Sequence, residues 1–178
     1  SNNTAVGKDA LLAITTGTQN IAVGGLALDA NTTANYNVAI GYEALSTSET
    51  DSHNTAIGNN AMKDANGAAH NVAVGSASMN NITTGDYNVG VGSQTFDALT
   101  TGANNVAVGY AAAGALTSGA GNTAVGYEAL NDGGTGANNT AVGYQSLDRI
   151  QDGCSSNTAV GYQALHGLSL IHISEPTR

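Results

Sequence analysis

The stretch Asn-Val-Ala-Ile-Gly at residues 37–41 decides the fold of this 178-residue chain, because it occurs ten times in nearly the same form. Every copy follows the pattern Asn-[Thr/Val/Ile]-Ala-[Val/Ile]-Gly, and only Gly90, in place of Ala, departs from it. The first nine copies start 17 residues apart, and the tenth starts 18 residues after the ninth. A period this regular indicates that each copy occupies the same place in one coil of a repeating structure.

The composition also favours stacked repeats over a globular domain. The chain has 24 Gly, one Pro, no Trp and one Phe, Phe96, so few large side chains are available for a broad core. Its net charge of −9, from 13 acids against 4 bases, lacks the basic footprint of a nucleic-acid binder. No stretch of the sequence reaches the ~20 apolar residues of a membrane helix. Cys154 is the single cysteine, which excludes an intrachain disulfide.

Each coil carries further columns of equivalent residues, which we number from the motif Asn as position 1. Position 6 is often Tyr, position 8 is small and position 9 is usually large and apolar, as in Tyr42, Ala44 and Leu45. A polar segment such as Thr83-Thr84-Gly85 then closes the coil. Short extended runs separated by Gly and polar residues are typical of strands.

The sequence therefore predicts an all-β fold, a parallel β-solenoid or β-roll of about ten 17-residue coils with two short strands per coil. At ~4.8 Å per coil the rod would be about 48 Å long. The motif Asn residues would form a structural ladder whose side-chain amides bond from coil to coil. The ladder comprises Asn3, Asn20, Asn37, Asn54, Asn71, Asn88, Asn105, Asn122, Asn139 and Asn157.

Alternation along the motif places positions 2 and 4 on one side and position 3 on the other. We expect the Val, Ile and Thr residues to face inward with the Leu column, because they carry the larger apolar area. The outward column would then be small in every coil, which predicts close packing against an identical chain. This close-packing column comprises Ala5, Ala22, Ala39, Ala56, Ala73, Gly90, Ala107, Ala124, Ala141 and Ala159.

The motif, as at residues 3–7, 37–41 and 105–109, resembles the repeat of trimeric autotransporter adhesin heads. The fuller phrase at residues 157–165, Asn-Thr-Ala-Val-Gly-Tyr-Gln-Ala-Leu, resembles repeats of bacteriophage tail-fibre-like and bacterial surface proteins. The resemblance covers residues 1–165. It implies a left-handed parallel β-roll, a homotrimer on a cell or virion surface, and attachment to an unknown glycan or protein receptor. The 17-residue coil departs from the shorter repeat of the adhesin heads.

Residues 168–178 lack the motif and contain the only Pro. They resemble the translation of a sequencing adaptor, so we expect a non-native tail there. The repeat domain is assigned to residues 1–167 and is expected to be part of a longer protein.

No set of residues in the sequence forms a nucleophile, base and acid arrangement, so we expect no catalytic residues, no cofactor and no metal site. His53 and His70 share position 17 in neighbouring coils. Stacked imidazoles of this kind could hold a metal ion or could be incidental surface side chains, and the variability of position 17 favours the second alternative. The acidic residues do not form a calcium-binding nonapeptide repeat. The function expected is non-catalytic attachment at an extracellular surface. The alternative is an ice-binding solenoid, based on Thr4, Thr55 and their equivalents at position 2.

Overall fold

The computed structural model describes residues 2–167, which form one column of stacked coils with a single three-residue strand in each coil. No helix is present in these residues. The strands are β1 Thr4–Val6, β2 Ile21–Val23, β3 Val38–Ile40, β4 Thr55–Ile57, β5 Val72–Val74, β6 Val89–Val91, β7 Val106–Val108, β8 Thr123–Val125, β9 Thr140–Val142 and β10 Thr158–Val160.

The ten strands form one sheet in chain order, and all nine pairings are parallel. Equivalent motif residues lie opposite each other, so that Ala39 pairs with Ala22 on one side and Ala56 on the other. The predicted parallel β-solenoid with 17 residues per coil is confirmed. The columns of equivalent residues deduced from the period are therefore the residues that stack on one another in space.

The prediction of two strands per coil is wrong for the described residues. The segment around positions 7 to 9, where the second strand was expected, forms turns instead. Leu, Met, Phe or Ala at position 9 has φ between 50° and 54° in every coil, which is left-handed backbone and breaks an extended run. The turns still bond between coils: the Leu28 N–H donates to the Ala44 carbonyl (3.0 Å) and the Glu43 N–H to the Gly25 carbonyl (3.0 Å).

The motif Gly at position 5 bends the chain as it leaves the strand. Its φ lies between 125° and 142° in all ten coils, a region that side chains rarely adopt. A β-carbon at Gly41 would also overlap the carbonyl oxygen of Gly58 in the next coil. Both constraints require glycine at this position.

The core is narrow, and the facing of the strands is the reverse of our expectation. Leu28, Leu45 and the other residues at position 9 are buried in the first nine coils, whereas Leu165 in the tenth coil is exposed, and the Ala column, including Ala39 and Ala107, is buried as well. Of that column, Ala22, Ala39, Ala56, Ala73, Gly90, Ala107, Ala124, Ala141 and Ala159 are buried, while Ala5 in the first coil is exposed. The inward placement of Val, Ile and Thr was therefore wrong. The Ala residues pack inside their own chain, so their small size is no evidence that a second chain packs against them.

Gly90 shows why position 3 must be small. A β-carbon there would lie 2.9 Å from the hydroxyl oxygens of both Ser78 and Thr95, and 3.0 Å from the Met79 methyl carbon. Most other coils have Ala at position 8, which leaves room for a methyl group at position 3. The strand thus approaches the Leu column so closely that one methyl group fills the space in the other coils. In the sixth coil, which contains Gly90, even a methyl group is too large.

The Asn ladder closes each coil and joins it to the next. The Oδ1 of Asn88 accepts a hydrogen bond from the backbone N–H of Asn105 (3.0 Å), and its Nδ2 donates to the Gly102 carbonyl 14 residues ahead (2.9 Å). The backbone N–H bond to Oδ1 occurs at all nine steps from Asn3 to Asn157. Amide-to-amide bonds, which the sequence led us to expect, accompany it at several steps. The side chains are committed to the backbone and offer no ligand array.

Candidate interaction face

The outward surface of the sheet consists of positions 2 and 4 of the ten motifs, and we call it the strand face. All twenty of its residues are Thr, Val or Ile, so it carries no charge in a chain of net charge −9. Position 2 holds Thr4, Ile21, Val38, Thr55, Val72, Val89, Val106, Thr123, Thr140 and Thr158, and position 4 holds Val6, Val23, Ile40, Ile57, Val74, Val91, Val108, Val125, Val142 and Val160.

The strand face is accessible along the whole rod. Its side chains are half-buried or exposed, with Val91 in the middle 38% exposed and Val160 in the last coil 68% exposed. Ten strands at ~4.8 Å and two columns of side chains give an apolar strip on the order of 500 Å². That is at the upper end of the largest apolar patch of a typical soluble monomer, about 300–600 Å², and such patches commonly mark interaction sites.

The two sets of Thr residues in the chain have different hydrogen bonding. In the closing turn, the hydroxyls of Thr83 and Thr100 donate to carbonyls of the next coil at 3.0 and 3.1 Å. The five Thr side chains of the strand face make no hydrogen bond within residues 2–167. They are Thr4, Thr55, Thr123, Thr140 and Thr158. Their hydroxyls are available to solvent or to a bound surface.

Two stacks of aromatic rings flank the strands in the chain. Position 17, just before the motif, holds the Tyr–His stack of Tyr36, His53, His70 and Tyr87, with ring centroids 4.8 Å apart at each step. Position 6, just after the motif, holds a second stack, which we call the Tyr ladder. It comprises Tyr110, Tyr127, Tyr144 and Tyr162, with centroids 5.1–5.3 Å apart.

The His53–His70 pair is poorly arranged for a metal ion. The two imidazole planes are within 8° of parallel, and metal ligation requires the ring nitrogens to point in-plane toward one centre about 2 Å away. Parallel rings 4.8 Å apart direct their nitrogens along parallel lines instead. Among residues 2–167, no group of three or more His, Cys, Asp or Glu is placed to hold a metal. The pair belongs to a surface stack.

Among the carboxyl groups with altered pKa values are three in the turns of the coils, Asp51, Asp148 and Asp152. Burial raises the pKa of Asp51, although its Oδ1 accepts a hydrogen bond from the Gly67 N–H (2.8 Å). Burial likewise raises the pKa of Asp148, whose Oδ2 lies 3.5 Å from Nε2 of His166. Hydrogen bonds from the Thr135 backbone and hydroxyl lower the pKa of Asp152. Each of the three carboxyl groups has a polar side chain as a partner, namely the Ser48 hydroxyl, the His166 imidazole and the Thr135 hydroxyl.

The one irregular loop, residues 150–156, is tied to the coil before it. Asp152 accepts from the Thr135 N–H (2.6 Å), Ser155 accepts from the Ala137 N–H (3.0 Å), and the Cys154 carbonyl accepts from Asn139 Nδ2 (2.9 Å). The extra residue of the 18-residue coil therefore precedes Cys154 and leaves the Asn ladder intact.

The structure defines the class of this protein as a parallel β-solenoid repeat protein. No protein-family profile, curated protein or solved structure matches the chain. In the part of the chain that the structure describes, no helix is long and apolar enough to span a membrane. The sequence-predicted tail at residues 168–178 lies outside the described residues. The strand face was missed by the sequence analysis, which placed the same residues inside the roll.

Proposed function

We propose that this chain is a structural attachment module of an extracellular surface protein, of the adhesin-head or tail-fibre-like kind, displayed on a cell or a virion. The observation that supports this function best is the strand face, an uncharged strip about 45 Å long on a rod of otherwise polar turns. A rod with one continuous interaction strip is suited to holding copies side by side and presenting their turns to a receptor. The module is non-catalytic in this proposal.

We further propose that the strand face is where identical chains assemble, as a homotrimer. A stable interface buries about 800 Å² per partner, so the strip of about 500 Å² supplies most of it and the Tyr–His stack at position 17 would supply the rest. The strip has no charged residue to desolvate, which favours burial. The Ala column is buried within its own chain and therefore does not contribute to this interface.

Light scattering on the full chain tests the assembly. We expect the mass of three chains for the native sequence and of one chain for a variant with Val91→Lys and Val108→Lys, because lysines in the strip cannot be buried unpaired. The matched control is Thr101→Lys, an exposed position in the closing turn away from the strip, which should stay trimeric. A native chain of monomeric mass at micromolar concentration would contradict the proposal.

Attachment itself is tested with coated beads. Beads carrying the native chain should be retained on one or more surfaces in a panel of glycans and intact cells, and beads carrying the Val91→Lys, Val108→Lys variant should be retained less because multivalency is lost. Retention no greater than that of uncoated beads across the panel would refute attachment.

Ice binding is a second candidate, favoured by the unbonded Thr hydroxyls on a regular, outward strand face. Thr123, Thr140 and Thr158 occupy three consecutive coils, although Val or Ile interrupts the column elsewhere. A thermal-hysteresis measurement separates the two functions. Activity that is lost on Thr140→Lys and retained on Thr101→Lys, in the closing turn, would favour ice binding over attachment.

A further inference from the structure

The Tyr ladder brings four phenol rings into a continuous, solvent-exposed stack. Tyr110, Tyr127, Tyr144 and Tyr162 are 42–74% exposed, and consecutive rings are inclined by only 7–19°. Their centroid separations of 5.1–5.3 Å leave no other side chain between them. Stacked rings at this distance gain modest packing energy, and the same contact places their reactive ortho carbons side by side.

We propose that the Tyr ladder is a site of oxidative cross-linking, at which neighbouring coils become joined by dityrosine bonds within one chain. The co-reactant is a one-electron oxidising system such as a peroxidase with hydrogen peroxide. The product is a rod whose successive coils are covalently stapled along one edge. This modification is independent of whether the chain acts in attachment or in ice binding.

The reaction balances with one peroxide per bond. Each of two phenols loses one electron and one proton to the oxidant, and hydrogen peroxide is reduced to two water molecules. The two phenoxyl radicals join through their ortho carbons in a new C–C bond. Each of these carbons then loses its proton to solvent while the phenol oxygen takes up one proton, which restores the two phenols, so the chain has lost in total only the two hydrogen atoms removed by the oxidant.

Proximity favours coupling within the ladder over every competing reaction. A radical formed on one ring has a second phenol in contact with it, which makes the coupling effectively intramolecular, at a much higher local concentration than any other molecule offers. Both rings are anchored on backbones held by interstrand hydrogen bonds, so their separation persists.

A proton acceptor is already present in the middle of the ladder. The Glu128 carboxylate raises the pKa of the Tyr127 phenol, chiefly through its negative charge and also as a hydrogen-bond acceptor. Glu128 is itself held by Gln145, whose Nε2 donates to its Oε2 at 2.8 Å. The Glu128 carboxylate beside Tyr127 is therefore available to take up the proton when an electron leaves this phenol.

The remaining tyrosines provide an internal control. Tyr36 and Tyr87 stack on His53 and His70, and Tyr42 has Gly25 and Asn59 at the same position of its neighbouring coils. None of these three is in contact with another Tyr in its column. They share the exposure of the ladder, at 51–58%, without its arrangement.

The test uses the full chain with Cys154→Ser, so that no thiol consumes the radicals, treated with peroxidase and hydrogen peroxide. Cleavage at Asp and Glu separates Tyr127 from Tyr144 and Tyr144 from Tyr162. Mass spectrometry should then find these peptide pairs joined with the loss of two hydrogen atoms. Tyr144→Phe should abolish both pairs. Circular dichroism confirms that this exposed substitution leaves the fold intact.

A gain-of-function variant makes the test independent of any loss of folding. His70→Tyr places a phenol against Tyr87 and should create a cross-link between positions 70 and 87, which Asp86 allows to be detected after cleavage. Oxidising a mixture of isotopically labelled and unlabelled chains, refolded together, distinguishes links within a chain from links between chains. Absence of ladder cross-links, cross-link yields at Tyr36 or Tyr42 equal to those in the ladder, or mixed labelled–unlabelled links in the proportion expected for random pairing of chains would overturn the proposal.

Discussion

Replacing Asn88 with Ala should be among the most damaging single changes in this protein, although its buried side chain is not part of any proposed interaction surface. The Asn88 side chain is fully buried in the sixth coil. Its Nδ2 donates to the Gly102 carbonyl at 2.9 Å, and its Oδ1 accepts from the Asn105 backbone N–H at 3.0 Å. The first bond closes its own coil, and the second connects that coil to the following one.

The magnitude follows from the groups left behind. Asn88→Ala removes the partners of one buried carbonyl, at Gly102, and one buried N–H, at Asn105. A buried polar group without a partner costs about 1–3 kcal/mol, so the free energy of unfolding should fall by about 2–6 kcal/mol. The lost side-chain volume adds to this cost because the narrow core cannot close around it.

Denaturant unfolding combined with amide hydrogen exchange measures the effect, because a repeat array can open locally without unfolding as a whole. Exchange should accelerate most in the coils that contain Asn88 and Asn105. The control is Asn59→Ala, an exposed Asn with no side-chain hydrogen bond in the described structure, which should change stability by less than about 0.5 kcal/mol. Equal losses for the two variants would refute the role given to the ladder.

Three further changes test the core. Ala124→Val should destabilise the protein by about 1–3 kcal/mol through overpacking, whereas Val125→Ala on the strand face should cost less than about 1 kcal/mol. If thermal unfolding gave the larger loss for Val125→Ala, the Val side chain and not the Ala side chain would be the one that faces the core. Gly90→Ala should lower the melting temperature. The decrease caused by Gly90→Ala should be smaller in a chain that also carries Thr95→Ala, which removes one of the clashing hydroxyls. If the two substitutions changed the melting temperature additively, the clash would not be the cause. Because burial raises the pKa of Asp51 above its usual 3.8, protonation favours the folded state and this contribution is lost as the pH rises through the folded pKa. Asp51→Asn should therefore be more stable than the native chain at pH 7, and its advantage should shrink toward pH 3.8; a constant difference would show that charge is not the cause.

The period was sufficient to predict the coil, the register and the stacking of equivalent residues. An in-register parallel stack must place position 17 of one coil against position 17 of the next, so the His53–His70 contact follows from counting residues. Counting residues could not show that the segment around positions 7 to 9 forms turns and not a second strand. Leu at a left-handed φ is disfavoured locally, and it persists here because burial in the core and bonds from both neighbouring coils hold it there.

The facing of the strand was predicted wrongly because alternation alone allows two solutions. Apolar area favoured Val, Ile and Thr inside, but the Leu column from position 9 already occupies the interior and leaves room only for a methyl group. Two signals in the sequence pointed to the correct choice. Thr takes the place of Val or Ile in half of the coils at position 2, as expected of a solvated site, and the single Gly of the Ala column occurs beside the bulky pair Thr95 and Phe96.

With position 3 inside and positions 2 and 4 outside, the small size of position 3 and the absence of charge at positions 2 and 4 have separate causes. The small residue at position 3 is fixed by packing within the chain, so its constancy reveals nothing about partners. Positions 2 and 4 are free of that constraint, since they face outward, and yet all twenty remain Thr, Val or Ile without one charged residue in a chain of net charge −9. β-Propensity favours these residue types but also admits Tyr, Phe and Trp, none of which occurs there. The restriction to short β-branched side chains keeps the strip flat and uncharged along the described coils, which is what the proposed contact surface requires.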